Sequence, residues 1–299
     1  MPATRRLSPL AADGLMLLAA LIWGSGFIAQ RLGAEHLDAF AFTGLRFALG
    51  AALLGPWVIA RGLDRAHLVA GLVTGGVMAT AALFQQWGLQ TTTAGNGAFI
   101  TSLYVIIVPF LGLALGQHIR PNVWVAVALA LVGMWYLCID SDFTYNRGDP
   151  IVFVCAVGWA FHLVVVGRYS PTLDPLRYAF LQFAVTGVVA LALSATFNPP
   201  SVEQVVAAKW ALIFSGVLAV CVAFSLQMIA QRTAPPTHAA IILSLESVFG
   251  MVCGAIFLKE AITGRKIFGA ALMFVAMVLA QMGPSSKSLP AAKGDEPAQ

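Results

Sequence analysis

Apolar residues in this chain come in long runs, with charged and turn-forming residues gathered at the joints between them. Positions 66–119 contain no Asp, Glu, Lys or Arg at all. A helix that crosses a bilayer needs about 20 consecutive apolar residues, so this stretch holds two, separated near Thr91–Asn96. The same pattern predicts ten spanning helices. The first five lie over 11–31, 38–59, 67–88, 95–116 and 121–139, and the second five over 149–168, 175–197, 208–231, 236–258 and 264–283. Helices follow because hydrocarbon offers no partners to backbone polar groups. A β-barrel would instead show short alternating segments.

The two sets of five repeat each other. At an offset of 136, Trp23 meets Trp159, Asp38 meets Asp174 and Phe47 meets Phe183. At 142, Gln85 meets Gln227, and at 143, Ser102 meets Leu245, Gln117 meets Glu260, Leu129 meets Leu272 and Met134 meets Met277. An odd number of helices per repeat places the second copy upside down in the membrane. Inverted repeats around a site near the midplane characterise secondary transporters. The predicted fold is therefore an all-α integral membrane protein with ten transmembrane helices in two inverted five-helix repeats. Its divisions are an N-terminal segment 1–10, repeats 11–140 and 147–283, and a disordered, polar tail 284–299.

Composition narrows the class further. The chain is 59% hydrophobic and 10% charged, against about 45–50% and 25% in soluble domains. A net charge of +4 does not point to nucleic acid, because the basic residues are scattered between apolar runs. Placing the N-terminus inside gives a cytoplasmic set of Arg5, Arg6, Arg61, Arg65, Arg120, Arg168, Arg177, Arg232, Lys287 and Lys293. The outer set is Arg31, Arg147, Lys209, Lys259, Arg265 and Lys266. Ten against six predicts both termini in the cytoplasm of a multi-pass inner-membrane protein. Arg5 and Arg6 before the first apolar run resemble the start of a signal peptide, but that run has an internal counterpart and reads as a retained helix. Cys138, Cys155, Cys221 and Cys253 show no metal-like spacing.

The stretch Ile22-Trp23-Gly24-Ser25-Gly26-Phe27-Ile28-Ala29, with Leu45-Arg46-Phe47 after it, resembles the opening of the EamA group of the drug/metabolite transporter superfamily. The run from Ala94 through Thr101-Ser102-Leu103-Tyr104 to Pro109 and Gly116-Gln117 is similar to the family's fourth helix, and Ser244 to Phe249 to its counterpart. Gln117 stands where the family usually has Glu, and Ser247 where it often has Pro. The resemblance covers about 11–283. It implies ten helices and export of small metabolites by alternating access, with amino-acid exporters of the YddG type as the nearest functional analogy. Export of other small organic compounds or drugs, or a channel or receptor role, is the alternative.

Polar groups inside spanning helices face a bundle interior or a wet cavity, which selects the candidate site residues. Trp23 and Trp159, at matching mid-helix positions, read as cavity walls or as packing. Gln85, Gln86 and Gln227 offer neutral donors and acceptors suited to a zwitterion, or serve as interhelical glue. Asn96, Tyr104 and His162 are weaker candidates for the same substrate site. Glu246 is the one carboxylate deep in a helix, a proton carrier, an ammonium partner or a structural group; Arg46 lies at similar depth. An Arg46–Glu246 ion pair is expected, which would lock the Glu246 charge and favour facilitated diffusion over proton coupling. Gly24-Ser25-Gly26 has no accompanying base, so it does not make a nucleophile. No phosphate loop or metal motif is present. A monomer without cofactor, with a small-molecule substrate and the lipid bilayer as its partners, completes the expectation.

Overall fold

The structure is a computed structural model that describes residues 7–138, 146–257, 259 and 261–282. Arg5, Arg6, Glu260, Lys287, Lys293, the Cys138 side chain, the 139–145 junction and the tail 284–299 lie outside the described residues. All regular structure among the described residues is helical. In chain order the helices are α1 (Pro9–Gly33), α2 (Ala39–Arg61), α3 (Arg65–Leu89), α4 (Ala94–Ser102), α5 (Tyr104–Ala114), α6 (Pro121–Cys138), α7 (Asp149–Tyr169) and α8 (Pro175–Phe197). The short α9 (Val202–Ala207) and α10 (Lys209–Ile213) lead into a π-helical segment, Phe214–Phe224. Then come α11 (Ser225–Ala230), α12 (Pro236–Leu243), α13 (Glu246–Phe257) and α14 (Gly264–Gln281).

Eight of these runs are long and apolar enough to cross a membrane, and Pro121–Leu137 is a shorter apolar helix. Helix α14 is 18 residues long and carries Arg265 and Lys266 in its first turn. The helices begin where short polar side chains cap them. Ser8, Asp38, Asp64, Thr93, Asp174 and Thr263 each accept a backbone N–H of the first turn, which satisfies donors that a helix start leaves free. The Asp64 carboxyl is held below the usual carboxylate range by the His67 backbone N–H and then by the His67 ring. That ring also bonds onward. Its Nε2 accepts the Asp174 backbone N–H at 3.1 Å while Nδ1 lies 2.8 Å from Asp64, so the proton sits on Nδ1.

Three expected continuous helices are irregular. The fourth segment breaks at Leu103 and the ninth at Ser244–Leu245. At the second break, Ser244 Oγ donates to the Ile241 carbonyl at 2.8 Å, the back-bonding that bends helices. The eighth segment widens into the π-helix over 11 residues. All three irregular stretches come together around one point in the interior.

Helix α1 crosses α13 in direct backbone contact, and Gly24 makes this possible. A Cβ at position 24 would lie 2.4 Å from the Glu246 carbonyl and 2.7 Å from the Gly250 nitrogen. Other strong packings are α2 on α8, α6 on α14, α3 on α7 and α8, the π-helical segment on α1 and α2, and α4 and α5 on α7. Gly24→Ala is expected to destabilise the protein by about 1–3 kcal/mol through overpacking. Gly14→Ala, where nothing lies within 4 Å, is expected to be neutral. Melting temperatures in detergent check both.

Candidate functional site

The irregular segments enclose a central cavity lined from both halves of the chain. Helix α1 contributes Trp23, Phe27 and Gln30, α2 contributes Arg46 and Phe47, and α3 contributes Gln85. Thr101 and Tyr104 flank the Leu103 break, and Leu243 and Glu246 flank the Ser244–Leu245 break. Trp159 and His162 come from α7, and Ala219, Phe224 and Gln227 from the widened eighth segment. The free volume between these side chains is about 60 Å³, room for a few waters and less than small-ligand sites occupy.

Aromatic rings form one side. Phe224 sits at their centre, 4.7 Å from the Trp23 ring, 5.6 Å from Trp159 in a stacked pair and 5.9 Å from His162. Trp23 Nε1 donates at 2.9 Å to the Ala219 carbonyl, one of the backbone groups inside the π-helix. Hydrogen bonding fixes several polar groups. His162 Nε2 pairs with Gln182 Oε1 at 2.9 Å, and Gln85 Nε2 reaches Thr101 Oγ1 at 3.4 Å. Gln227 Nε2 donates to Gln231 at 2.8 Å. Four atoms of lining residues are buried without a partner: Gln30 Oε1, Gln227 Oε1, Arg46 Nε and Trp159 Nε1. Two donors and two acceptors thus stand around the cavity unsatisfied, which is costly without a ligand or water to meet them.

The expected Arg46–Glu246 ion pair does not form: no such pair is found within 4.0 Å among the described residues. Glu246 Oε1 instead accepts the Tyr104 hydroxyl at 3.2 Å and the Ser102 hydroxyl at 3.4 Å. The Arg46 guanidinium lies 5.5 Å and 5.3 Å from the Phe42 and Phe47 rings of its own helix. Similar depth does not make a pair, because the two groups are held by different neighbours.

Of the other sequence candidates, Trp23, Gln85, Tyr104, Trp159, His162 and Gln227 line the cavity, and Gln86 and Asn96 do not. Gln86 follows Gln85 by one residue, about 100° around the helix, so both cannot face one side. It is buried against α1 and donates to the Gln30 carbonyl at 3.1 Å. Asn96 lies in the first turn of α4 and donates at 3.4 Å to Asp149, at the membrane-edge end of α7. Asp149 also takes the Thr92 hydroxyl and the Asn146 backbone N–H. Sequence reasoning missed Gln30, Thr101 and Phe224. Gln30 carried the same signal as Gln85, a carboxamide inside an apolar run, whereas Phe224 had none to set it apart from the 19 phenylalanines of the chain.

A multi-pass helical membrane protein built around a central cavity of mixed aromatic and polar lining is the class that fold and site define. The EamA-like transporter family matches the chain twice, over residues 10–139 and 146–282. The chain belongs to this family, within the drug/metabolite transporter superfamily, and is a transporter, not an enzyme. It is 31% identical over 275 residues to an uncharacterized transporter of Archaeoglobus fulgidus, covering 91% of this chain and 86% of that one. It is 27% identical over 300 residues to the threonine/homoserine exporter RhtA of Salmonella typhimurium, covering 95% and 94%. A protein of known crystal structure shares the fold at a TM-score of 0.74 and 19% identity, over 92% of this chain and 97% of its own.

Trp159→Ala is expected to lower transport at least tenfold while the protein still inserts and elutes as a single species. Gln86→Leu, outside the cavity, is expected to leave the half-saturation concentration within twofold. Transport assays paired with gel filtration check both.

Proposed function

We propose that the chain exports amino acids or closely similar small zwitterions across the inner membrane by alternating access around the central cavity. One observation carries this reading. The cavity is lined by a guanidinium, Arg46, and a carboxylate, Glu246, that are not spent on each other. A zwitterion supplies the opposite charge to each: its carboxylate meets the Arg46 fork and its ammonium meets Glu246 and the free Gln227 Oε1. The named activity of the RhtA relative points the same way. In the present conformation the cavity is too narrow for an amino acid, so substrate entry requires the helices to part.

Alternating access needs two halves that rock, and we propose ten spanning helices in two inverted repeats, 11–140 and 147–283, with both termini cytoplasmic. Several features support the repeats. Both Trp23 and Trp159 pack on Phe224. Phe47 and Phe183, equivalent in the two repeats, touch each other at 6.2 Å, as residues beside a two-fold axis do. Packing of α3 on α7 mirrors that of the π segment and α11 on α1, and α4 and α5 on α7 mirror α12 and α13 on α1. The breaks at Leu103 and at Ser244–Leu245 lie 141–142 residues apart, within two residues of the repeat offset. One chain supplies the whole lining of the cavity, so a monomer suffices.

Without the Arg46 pair, Glu246 is held only by hydroxyl donors. It is then free to take a proton as the solute leaves, and proton coupling through Glu246 replaces facilitated diffusion as the favoured mode. Proteoliposome counterflow with a panel of radiolabelled amino acids, with and without a pH gradient, tests the whole reading. Saturable counterflow of at least one amino acid is expected, and Arg46→Gln is expected to weaken it about ten- to hundredfold, the loss of a charge-assisted contact. The pH gradient is expected to drive wild type and not Glu246→Gln. A panel in which nothing counterflows rejects amino-acid export, and a wild type indifferent to the gradient rejects coupling.

A further inference from the structure

A second and larger cavity lies at the face on which α1 begins. Its free volume is about 340 Å³, within the roughly 300–1,000 Å³ of small-ligand sites. The start of α1 forms one wall, with Asp13; the start of α12 forms another, with Thr237 and His238; the connection into α6 brings His118 and Arg120. The end of α14 closes the fourth side at Ala280. That wall is fixed by Asn122, whose Nδ2 donates at 2.9 Å to the Leu279 and Met282 carbonyls.

Asp13 is 7% exposed although it lies in the first turns of a membrane helix, and its Oδ1 is 2.7 Å from His238 Nε2. This contact bridges the first half of the chain to the second. Beneath it, Met16, Ala19 and Ala20 of α1 and Ala239, Ile241 and Ile242 of α12 form a dry layer, each at most 1% exposed. Leu243, on the far side of that layer, lines the central cavity. It lies five residues beyond His238, about 7.5 Å along the helix axis.

We propose that this second cavity is an entry site that recognises the transported zwitterion before it reaches the central cavity. The proposal rests on the amino-acid reading above. The ammonium binds the Asp13 carboxylate and the carboxylate faces His118, while Arg120, whose Nη2 donates to the Met282 carbonyl, adds positive charge to the same lining. An ammonium on Asp13 displaces His238, and with it the bridge that holds α1 to α12 over the dry layer. Occupancy of the vestibule thereby loosens the seam through which the solute must pass. The geometry gives the two bridge residues opposite roles: Asp13 attracts the ligand, and His238 competes with it.

The test is counterflow of the fastest radiolabelled amino acid in everted and in right-side-out membrane vesicles, which present the two faces separately. Asp13→Asn is expected to raise the half-saturation concentration at least fivefold on one face and less than twofold on the other. His238→Gln is expected to lower it on that same face, a change of sign that a merely structural role does not produce. Gln227→Ala, in the central cavity, is expected to raise it on both faces. If Asp13→Asn does not fold, the His238→Gln result decides alone. Equal shifts on both faces, or none, with Gln227→Ala behaving as expected, overturn the vestibule and leave the central site standing. Absence of any amino-acid counterflow in the wild type overturns both.

Discussion

Hydrocarbon gives a peptide group nothing to bond with, and the whole architecture follows from that constraint. Backbone polar groups must be satisfied within each helix, and departures from regular helix are tolerated only where protein or a wet cavity supplies the missing partner. The departures within spanning segments obey this rule. The breaks at Leu103 and Ser244–Leu245 and the π-helix over Phe214–Phe224 border the central cavity. The Ala219 carbonyl within the π-helix is taken by the Trp23 indole. The Cys221 carbonyl there is taken by Ser225 Oγ at 2.6 Å. Irregular backbone and the central cavity thus occupy the same place, because there the missing backbone partners can be supplied.

Close helix approach is the second consequence. Lipid tails are as apolar as the side chains they replace, so small residues and backbone contact hold membrane helices together. Gly24 brings α1 onto α13 at the backbone of Glu246 itself. The same crossing that stabilises the bundle therefore sets the position of Glu246. Gly133 and Gly269 play the matching part between α6 and α14, where a Cβ on Gly269 would come within 2.5 Å of the Gly133 carbonyl.

Helix positions were legible from the sequence because they depend on one variable, apolar run length, and the start of α8 at Pro175 or of α12 at Pro236 is written in Pro and Asp. Residue type and repeat equivalence were informative too: they singled out Trp23, Gln85, Trp159 and Gln227 inside apolar runs, and all four line the cavity. Rotation about the helix axis was not legible. It is set by packing with other helices, so Gln86 could not be separated from Gln85, nor Arg46 assigned to its ring contacts instead of Glu246. The π-helix left no trace in composition, since Val-Leu-Ala-Val-Cys-Val-Ala reads as ordinary helix.

The freedom of Arg46 and Glu246 from each other bears on how such a carrier moves. A buried ion pair would satisfy both groups in the empty protein, and a zwitterion would have to break it before binding. Here each group is held by weaker neighbours, rings for one and hydroxyls for the other. Among the described residues, Arg46 Nε, Gln30 Oε1, Gln227 Oε1 and Trp159 Nε1 are buried with no hydrogen-bond partner. The empty cavity is thereby the less satisfied state, and a ligand that meets these groups gains binding free energy without first displacing a strong internal contact. A free volume of about 60 Å³ is smaller than small-ligand sites occupy, so a ligand the size of an amino acid needs the helices to part before it gains these contacts. On the proposed reading opening and binding are coupled, which is the thermodynamic requirement for a carrier whose substrate selects the conformation that transports it.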